Sequence, residues 1–252
     1  MNFSVLNWNI EGSKYYTKTK LNKIIPSLEK SEADIFCLQE AQELRENLHS
    51  LTALQNFNSV FPEDLRDRNI ILSKFPVTAS GEITFPTLTN IKLERALWAD
   101  IKINDQTLRI YNCHLEIVGV GPKQRIDQLN FILEAAKEHA GPVIICGDMN
   151  TTIPSAGLSR KIVQWFHKII SDNLISDEMY HHQDERHSFL QTARQAGFNE
   201  AIDILKSTWC IMPLRWEIFS LKLDWFLVRN IKTPEVSLGK YVSDHRSILA
   251  KF

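Results

Sequence analysis

Polar residues break apolar runs of this chain at recurring places. Asn9 closes FSVLNWN, Glu40 follows DIFCLQ, His114 closes RIYNCH, and Asp148 and Asn150 follow VIIC in GDMN. Asp224 opens the run DWFLV, and Asp244 and His245 precede SILAKF. Buried singly, each carboxylate, amide or imidazole would carry a large desolvation penalty. Gathered at strand ends, where α/β proteins build their sites, they make one polar pocket. Glu, Asp and Asn are hard oxygen ligands suited to Mg²⁺ or Mn²⁺, and no cysteine is placed to suit Zn²⁺. Histidines and amides donate to phosphate oxygens, and a carboxylate orients an attacking water or takes its proton. The set reads as a metal-assisted phosphoester hydrolase.

The elements that must position these groups are legible as short runs rich in β-branched and aromatic residues. They fall at 3–9, 34–39, 69–73, 95–103, 108–115, 143–148, 223–228 and 247–252. Between some of them lie helical stripes: Leu21, Ile24, Ile25 and Leu28; Ile126, Leu129, Ile132, Leu133 and Ala136; Ile162, Trp165, Phe166 and Ile169. The runs 95–103 and 108–115 are joined by a short N-D-Q turn and predict a hairpin. Helical crossovers mixed with hairpins predict α/β with mixed sheets. No linker, repeat or low-complexity stretch interrupts the chain, so residues 1–252 are expected to form one domain. The least regular region is 171–222. Its His181, His182, Asp184, Glu185 and His187 match no standard metal spacing and predict a solvated loop.

Composition bounds the partners. The chain has 252 residues, 29 Lys+Arg against 30 Asp+Glu, and 44% hydrophobic residues, an ordinary globular balance. The formal net charge of -1 carries no basic excess of the kind that long duplex DNA or an anionic membrane selects. No run approaches the ~18 apolar residues of a membrane span, and the N-terminus lacks a signal-peptide pattern. The expectation is a monomer in the cytoplasm, with no membrane partner. Cys37, Cys113, Cys146 and Cys210 form no C-x-x-C pair and are expected as buried free thiols.

Taken in order, Asn9, Gln39-Glu40, His114-Leu115, Gly147-Asp148-Met149-Asn150, Leu223-Asp224 and Ser243-Asp244-His245 resemble the motifs of the endonuclease/exonuclease/phosphatase superfamily, to which deoxyribonuclease I belongs. The resemblance spans nearly the whole chain. It implies a four-layer α/β/β/α sandwich, two mixed β-sheets packed face to face with helices outside. It also implies roles, position by position. Glu40 matches the principal Mg²⁺ (or Mn²⁺) ligand, Asn9 the amide beside that metal, and Asp244 an auxiliary ligand. Asp148 matches the residue that orients or deprotonates water, and Asn150 the amide that holds a phosphate oxygen. His245 matches the histidine on the scissile phosphate, as general base or as clamp, and Asp224 the carboxylate that hydrogen-bonds it. His114 resembles the histidine of the deoxyribonuclease I, sphingomyelinase and phosphatase side of the superfamily, where the exonuclease III branch has a tyrosine near this point.

Substrate selection is expected from surrounding segments. Arg95 resembles a substrate-contacting arginine, or it pairs with Glu94 at the surface. Trp209, Arg215 and Trp216 form the expected wall, able to stack on a base or sugar and to meet a second phosphate, or simply to pack the segment onto the sheet. Arg125 and Gln128 resemble an R-x-x-Q often seen after the HLE motif, and their expected role is packing across the sheet edge. The substrate classes that remain are a phosphodiester, including short or single-stranded nucleic acid, and a small phosphomonoester such as an inositol phosphate or nucleotide. A non-catalytic binding module is disfavoured by the intact residue set.

Overall fold

Side chains along a strand alternate between two faces, and here both faces are buried. In β1 (Ser4–Asn9), Val5 points into one apolar layer while Leu6 and Trp8 point into another. That double burial is why the strand runs read as near-continuous apolar stretches instead of clean alternation. The structure is a computed structural model. It describes residues 1–11, 21–48, 51–63, 68–85, 95–116, 122–151, 185–203, 206–211 and 216–252.

Two six-stranded sheets face each other. The first contains β1, β2 (Ile35–Gln39), β3 (Asn58–Val60), β4 (Ile70–Ser73), β13 (Glu235–Tyr241) and β14 (Arg246–Lys251), in the order β13-β14-β1-β2-β4-β3. The second contains β5 (Val77–Thr84), β6 (Arg95–Ile103), β7 (Gln106–His114), β8 (Val143–Asp148), β9 (Asn199–Glu200) and β12 (Asp224–Arg229), in the order β5-β6-β7-β8-β12-β9. The pairs β1–β2 and β7–β8 are parallel, and the remaining pairs in these sheets are antiparallel. A separate two-stranded ribbon joins β10 (Trp209–Ile211) to β11 (Trp216–Leu221).

The layer between the sheets is filled by Val5, Ile35, Ile71, Ile110, Ile144, Phe226 and Ile248. Outside the first sheet, Ile24 and Leu28 of α1 (Leu21–Ser31) and Leu44 of α2 (Gln42–Asn47) pack with Leu6, Trp8 and Phe36. Outside the second, Leu129, Ile132 and Leu133 of α3 (Pro122–Lys137) and Phe189 of α4 (Glu185–Gln195) pack with Tyr111, Ile145 and Trp225. The expected four-layer sandwich is therefore the observed one. No helix among the described residues is long and apolar enough to cross a membrane. The four cysteines are buried and free.

Three local readings change. The hairpin turn is tighter than N-D-Q, because Gln106 pairs with Ile103 and leaves Asn104 and Asp105 to make the turn, with Asn104 at φ 52. Glu185 is not on a solvated loop. It opens α4, and its carboxylate meets the guanidinium of Arg125 at 2.6 and 2.9 Å with neither side chain exposed. His187 lies exposed on the same helix, while His181, His182 and Asp184, like the stripe from Ile162 to Ile169, fall outside the described residues. Finally, Arg125 and Gln128 do more than pack. Gln128 Oε1 accepts from the Glu116 backbone N–H at 3.1 Å and Arg125 approaches the Glu116 carbonyl at 3.5 Å, so α3 grips the chain just after His114.

One glycine is dictated by the crossing of β7 and β8. Gly147 has φ 146, and a Cβ there would lie 1.9 Å from the Cys113 carbonyl oxygen. Glycine lets the backbones of β7 and β8 approach immediately beneath Asp148. Gly147→Ala is expected to cost roughly 3 kcal/mol or more, from strain and displaced backbone. A denaturant melt measures it, and wild-type stability would contradict the close approach of β7 and β8 at this position.

Candidate active site

The polar groups singled out above converge at one end of the layer between the sheets. In the second sheet His114, Asp148 and Asp224 stand side by side, since His114 pairs with Asp148 across β7–β8 and Asp148 with Asp224 across β8–β12. In the first sheet Asn9 pairs with Gln39 at the ends of β1 and β2, and Glu40 follows at once. Glu40 and Asn150 both have φ 51, and Glu11 has φ 49. Left-handed backbone at non-glycine residues is uncommon and costs energy, and it clusters where side chains must be aimed.

Oδ2 of Asp148 is the meeting point. Asn9 Nδ2 donates to it at 3.0 Å, and the Nε2 atoms of His245 and His114 lie 3.6 and 3.7 Å away. Asn9 Nδ2 also reaches Glu40 Oε1 at 3.4 Å, while Asn9 Oδ1 accepts the Glu11 backbone N–H, which fixes the amide's orientation. The other Asp148 oxygen accepts the backbone N–H of Asn150 at 3.0 Å. Asn150 in turn donates one amide hydrogen to the Leu115 carbonyl, and Leu115 N–H bonds the Asp148 carbonyl. The loops after β7 and β8 are thus tied to each other.

His245 and Asp224 join the two sheets. Nδ1 of His245 lies 2.8 Å from Asp224 Oδ2, with both side chains buried. The segment carrying His245 is held by Ser243, whose hydroxyl donates to carbonyl oxygen and accepts the His245 N–H and the Trp8 indole N–H. Asp224 is held from behind. Thr208 Oγ1 accepts the backbone N–H groups of Leu223 and Asp224, and buried Lys222 donates to the Asp224 carbonyl. Burial alone would push the His245 imidazole down. The carboxylates of Asp224 and Asp148 outweigh that and lift it to about 10, so it is a cation at neutral pH. Burial lifts the Asp244 carboxyl to about 7, and its neighbour Glu11 adds to the rise.

The donor set fits a hard divalent cation. Oδ1 of Asp244 and Oδ1 of Asp224 are buried and accept no hydrogen bond among the described residues. Ligand atoms of Asp148, Asp224 and His245 lie within 4.8 Å of one another. A protonated imidazole ligates nothing, however, and Asp224 already serves it. The carboxylate oxygens of Glu40 and Asp244 are the better donors, because His245 is itself the cation held between Asp148 and Asp224.

The residues expected to contact substrate fare differently. Trp209 is half-buried and its indole N–H donates to Asp244 Oδ2 at 2.9 Å, with its backbone bridged to His245. It therefore borders the site and orients Asp244, a contact that the sequence did not signal. Arg95 opens β6 opposite Thr84, and Arg215 falls outside the described residues. Glu11 and Thr208 were also unsignalled. Both are local supports, and neither belongs to an apolar run that would have drawn notice.

The Asp224–His245 pair makes stability depend on pH. The stabilisation from a charged His245 is fully present below about 6.5, its ordinary value, and is lost as pH rises through about 10. Asp224→Asn is expected to lower the His245 midpoint and flatten the fall in melting temperature between those limits. An NMR titration of the ring gives the midpoint, and an unchanged value would count against the pairing.

Residues 6–245 match the family model described as the Endonuclease/Exonuclease/phosphatase family. No curated protein sequence matches the chain. Among solved structures, a D. rerio TDP2 humanized by 14 mutations superposes with TM-score 0.70 at 20% identity, covering 100% of this chain and 98% of that one. D. rerio TDP2 complexed with single strand DNA product gives 0.67 at 19%, covering 99% and 98%. ANGEL2, a 2',3'-cyclic phosphatase, in complex with adenosine-2',3'-vanadate gives 0.64 at 16%, covering 100% and 95%. At these identities the superpositions show a shared fold. The family match, spanning nearly the entire chain, shows more: the protein belongs to the endonuclease/exonuclease/phosphatase family and is a metal-dependent phosphoester hydrolase.

Proposed function

We propose that the protein hydrolyses a phosphodiester in short or single-stranded nucleic acid, or in a related small diester, with Mg²⁺ or Mn²⁺. The observation that carries this reading is the convergence of Asn9, His114 and His245 on one oxygen of Asp148. The roles follow from it. Asp148 takes a proton from the attacking water, whose oxygen forms the new bond to phosphorus as the ester P–O bond breaks. His245, held charged by Asp224, and His114 donate to the non-bridging oxygens and stabilise the charge of the pentacovalent transition state. His245 is thus a phosphate clamp, since a cation cannot serve as base. Asn150 steadies the Asp148 loop and presents its remaining amide hydrogen to phosphate. Glu40 and Asp244 hold the metal and Asn9 orients Glu40. When bound, the ion supplies Lewis-acid neutralisation of phosphate charge.

Two further features support a nucleotide-like substrate. Trp209, half-buried and hydrogen-bonded to Asp244, borders the site, and an indole face there would suit a base. The similar folds include one solved with single strand DNA product and one solved with an adenosine-2',3'-vanadate. The near-neutral formal charge of -1 favours a short substrate over long duplex. Arg95 and Arg215 are proposed as further phosphate contacts, and residues 1–252 as one domain.

The test is a hydrolysis panel in Mg²⁺, Mn²⁺ or EDTA with wild type, Glu40→Gln and Asp148→Asn. Its substrates are single- and double-stranded DNA, RNA, bis-p-nitrophenyl phosphate, nucleotides and inositol phosphates. The expected outcome is cleavage of diesters, abolished by EDTA and reduced by at least ~10²-fold in each variant, the scale of a lost general base or ligand. Phosphate released only from monoesters would replace the diester reading with a phosphatase. Near-normal turnover in Glu40→Gln would sink the metal assignment.

A further inference from the structure

One step below the site, the layer between the sheets holds three fully buried amides where the sheets' other inward residues are apolar. Asn7, Gln39 and Asn112 are all at 0% exposure. Gln39 Nε2 donates to Asn7 Oδ1 at 2.9 Å within the first sheet and to Asn112 Oδ1 at 2.5 Å in the second. Asn112 Nδ2 returns two bonds across the gap, to the carbonyls of Leu38 and Ile70, each at 2.9 Å. The cluster is not fully satisfied, for Asn7 Nδ2 and Gln39 Oε1 have no hydrogen-bond partner among the described residues. Such orphaned atoms are costly, and an apolar trio would be a cheaper filling. The arrangement is therefore poorly explained as a device for stability.

Its place in the chain suggests what it does. Gln39 immediately precedes Glu40. Asn112 lies two residues before His114 and pairs in register with Cys146, two residues before Asp148. Asn7 lies two residues before Asn9. Each amide therefore stands on the strand that ends in a site residue, one pleat repeat (roughly 7 Å) or less beneath it. Hydrogen-bonded amides meet at about 2.9 Å, whereas apolar carbons meet at about 3.5–4.0 Å. The bonds thus draw the sheets together by up to about 1 Å where Glu40 and Asn9 on one must face Asp148 and His114 on the other, a displacement that matters for a reacting geometry.

We propose that Asn7, Gln39 and Asn112 are positioning residues, an inter-sheet amide clasp that sets the span between Glu40 and the Asp148–His114 pair and thereby the affinity for a divalent cation. The proposal rests on the reading of Glu40 as the principal metal ligand. It is tested by titrating Mn²⁺ into wild type, Gln39→Leu/Asn112→Leu, Asn7→Leu and Glu40→Gln, reading free Mn²⁺ by electron paramagnetic resonance and folding by thermal melt. Removing both partners of the central bond leaves no orphan between those two positions but takes the donor from Asn7 Oδ1 and from the Leu38 and Ile70 carbonyls, so the double variant is expected to melt below wild type while staying folded at the titration temperature. It is nonetheless expected to bind Mn²⁺ at least ~10-fold more weakly, the scale of lost outer-shell support for metal ligands. Asn7→Leu leaves the Gln39–Asn112 bond in place and gives the same sign with a smaller weakening, which keeps the test open should the double variant fail to fold. Binding within about twofold of wild type in the folded clasp variants, with binding lost in Glu40→Gln, would overturn the clasp alone. Wild-type binding by Glu40→Gln would overturn the metal reading, and the clasp with it.

Discussion

A carboxylate on one sheet and an imidazole on the loop that feeds the other meet at 2.8 Å with almost no access to water, and the rest of the site is arranged around that pair. Burying two charges is expensive, and their attraction repays the cost only when geometry is tight and the remaining hydrogen-bonding capacity is met. Here the supports lock the backbone on both sides, while Asp224 Oδ1 keeps no hydrogen-bond partner among the described residues. Ser243 ties the His245 backbone to the end of β1, and Thr208 and Lys222 fix the backbone at Asp224. The third member, Asp148, adds a second negative charge beside the ring. That asymmetry, one imidazole between two carboxylates, is what keeps the ring charged despite its burial.

The same pair explains why the sandwich is apolar at one end and polar at the other. Far from the site the layer holds Val5, Ile35, Ile110 and Ile144, which need only apolar contact. Near the site polar side chains enter the layer beside Cys37, Cys146 and Phe226, and three pairs of them bond across the gap: Asn9 to Asp148, His245 to Asp224, Gln39 to Asn112. Apolar packing is tolerant of small sliding, whereas hydrogen bonds are directional. The apolar end drives the sheets together, and the polar end decides their register. Specificity of this kind is the best-attested use of buried polar groups, whose net contribution to stability is small.

Much of this was legible in the sequence because strand-forming runs and their polar endings are local signals. The runs 95–103 and 143–148 match the strands residue for residue, and the groups at their ends assemble as the motif order implied. Strands without such a run were not legible. β5, VTASGEIT, is an exposed edge with no apolar face to alternate, and β13 is a similar edge. Asn112 sits inside an apolar strand beside the motif and reads as incidental; its role across the sheets depends on Gln39, 73 positions away. Glu185 likewise looks solvated until Arg125, 60 positions away, is placed against it. Long-range polar pairs leave no trace in local pattern, since either partner alone is an ordinary surface residue.

The charge balance of the site carries one more consequence for substrate. Glu40, Asp148, Asp224, Asp244 and Glu11 crowd a space whose facing cations are His245 and, when protonated, His114. Asp224 is neutralised by His245, and Glu11 helps burial to lift the Asp244 carboxyl above its usual range. The remainder is still negative, so an approaching phosphate anion is opposed by the protein's own field unless a divalent cation enters first or with it. A diester brings one negative charge and a monoester dianion two, so each step from diester to monoester asks more of the same cation. A site this acidic, with imidazoles and amides in place of a cluster of arginines among its described residues, supports the diester proposed above over a monoester dianion. That support comes from the strand-end residues themselves, before any contribution from the segments that would grip the rest of the substrate.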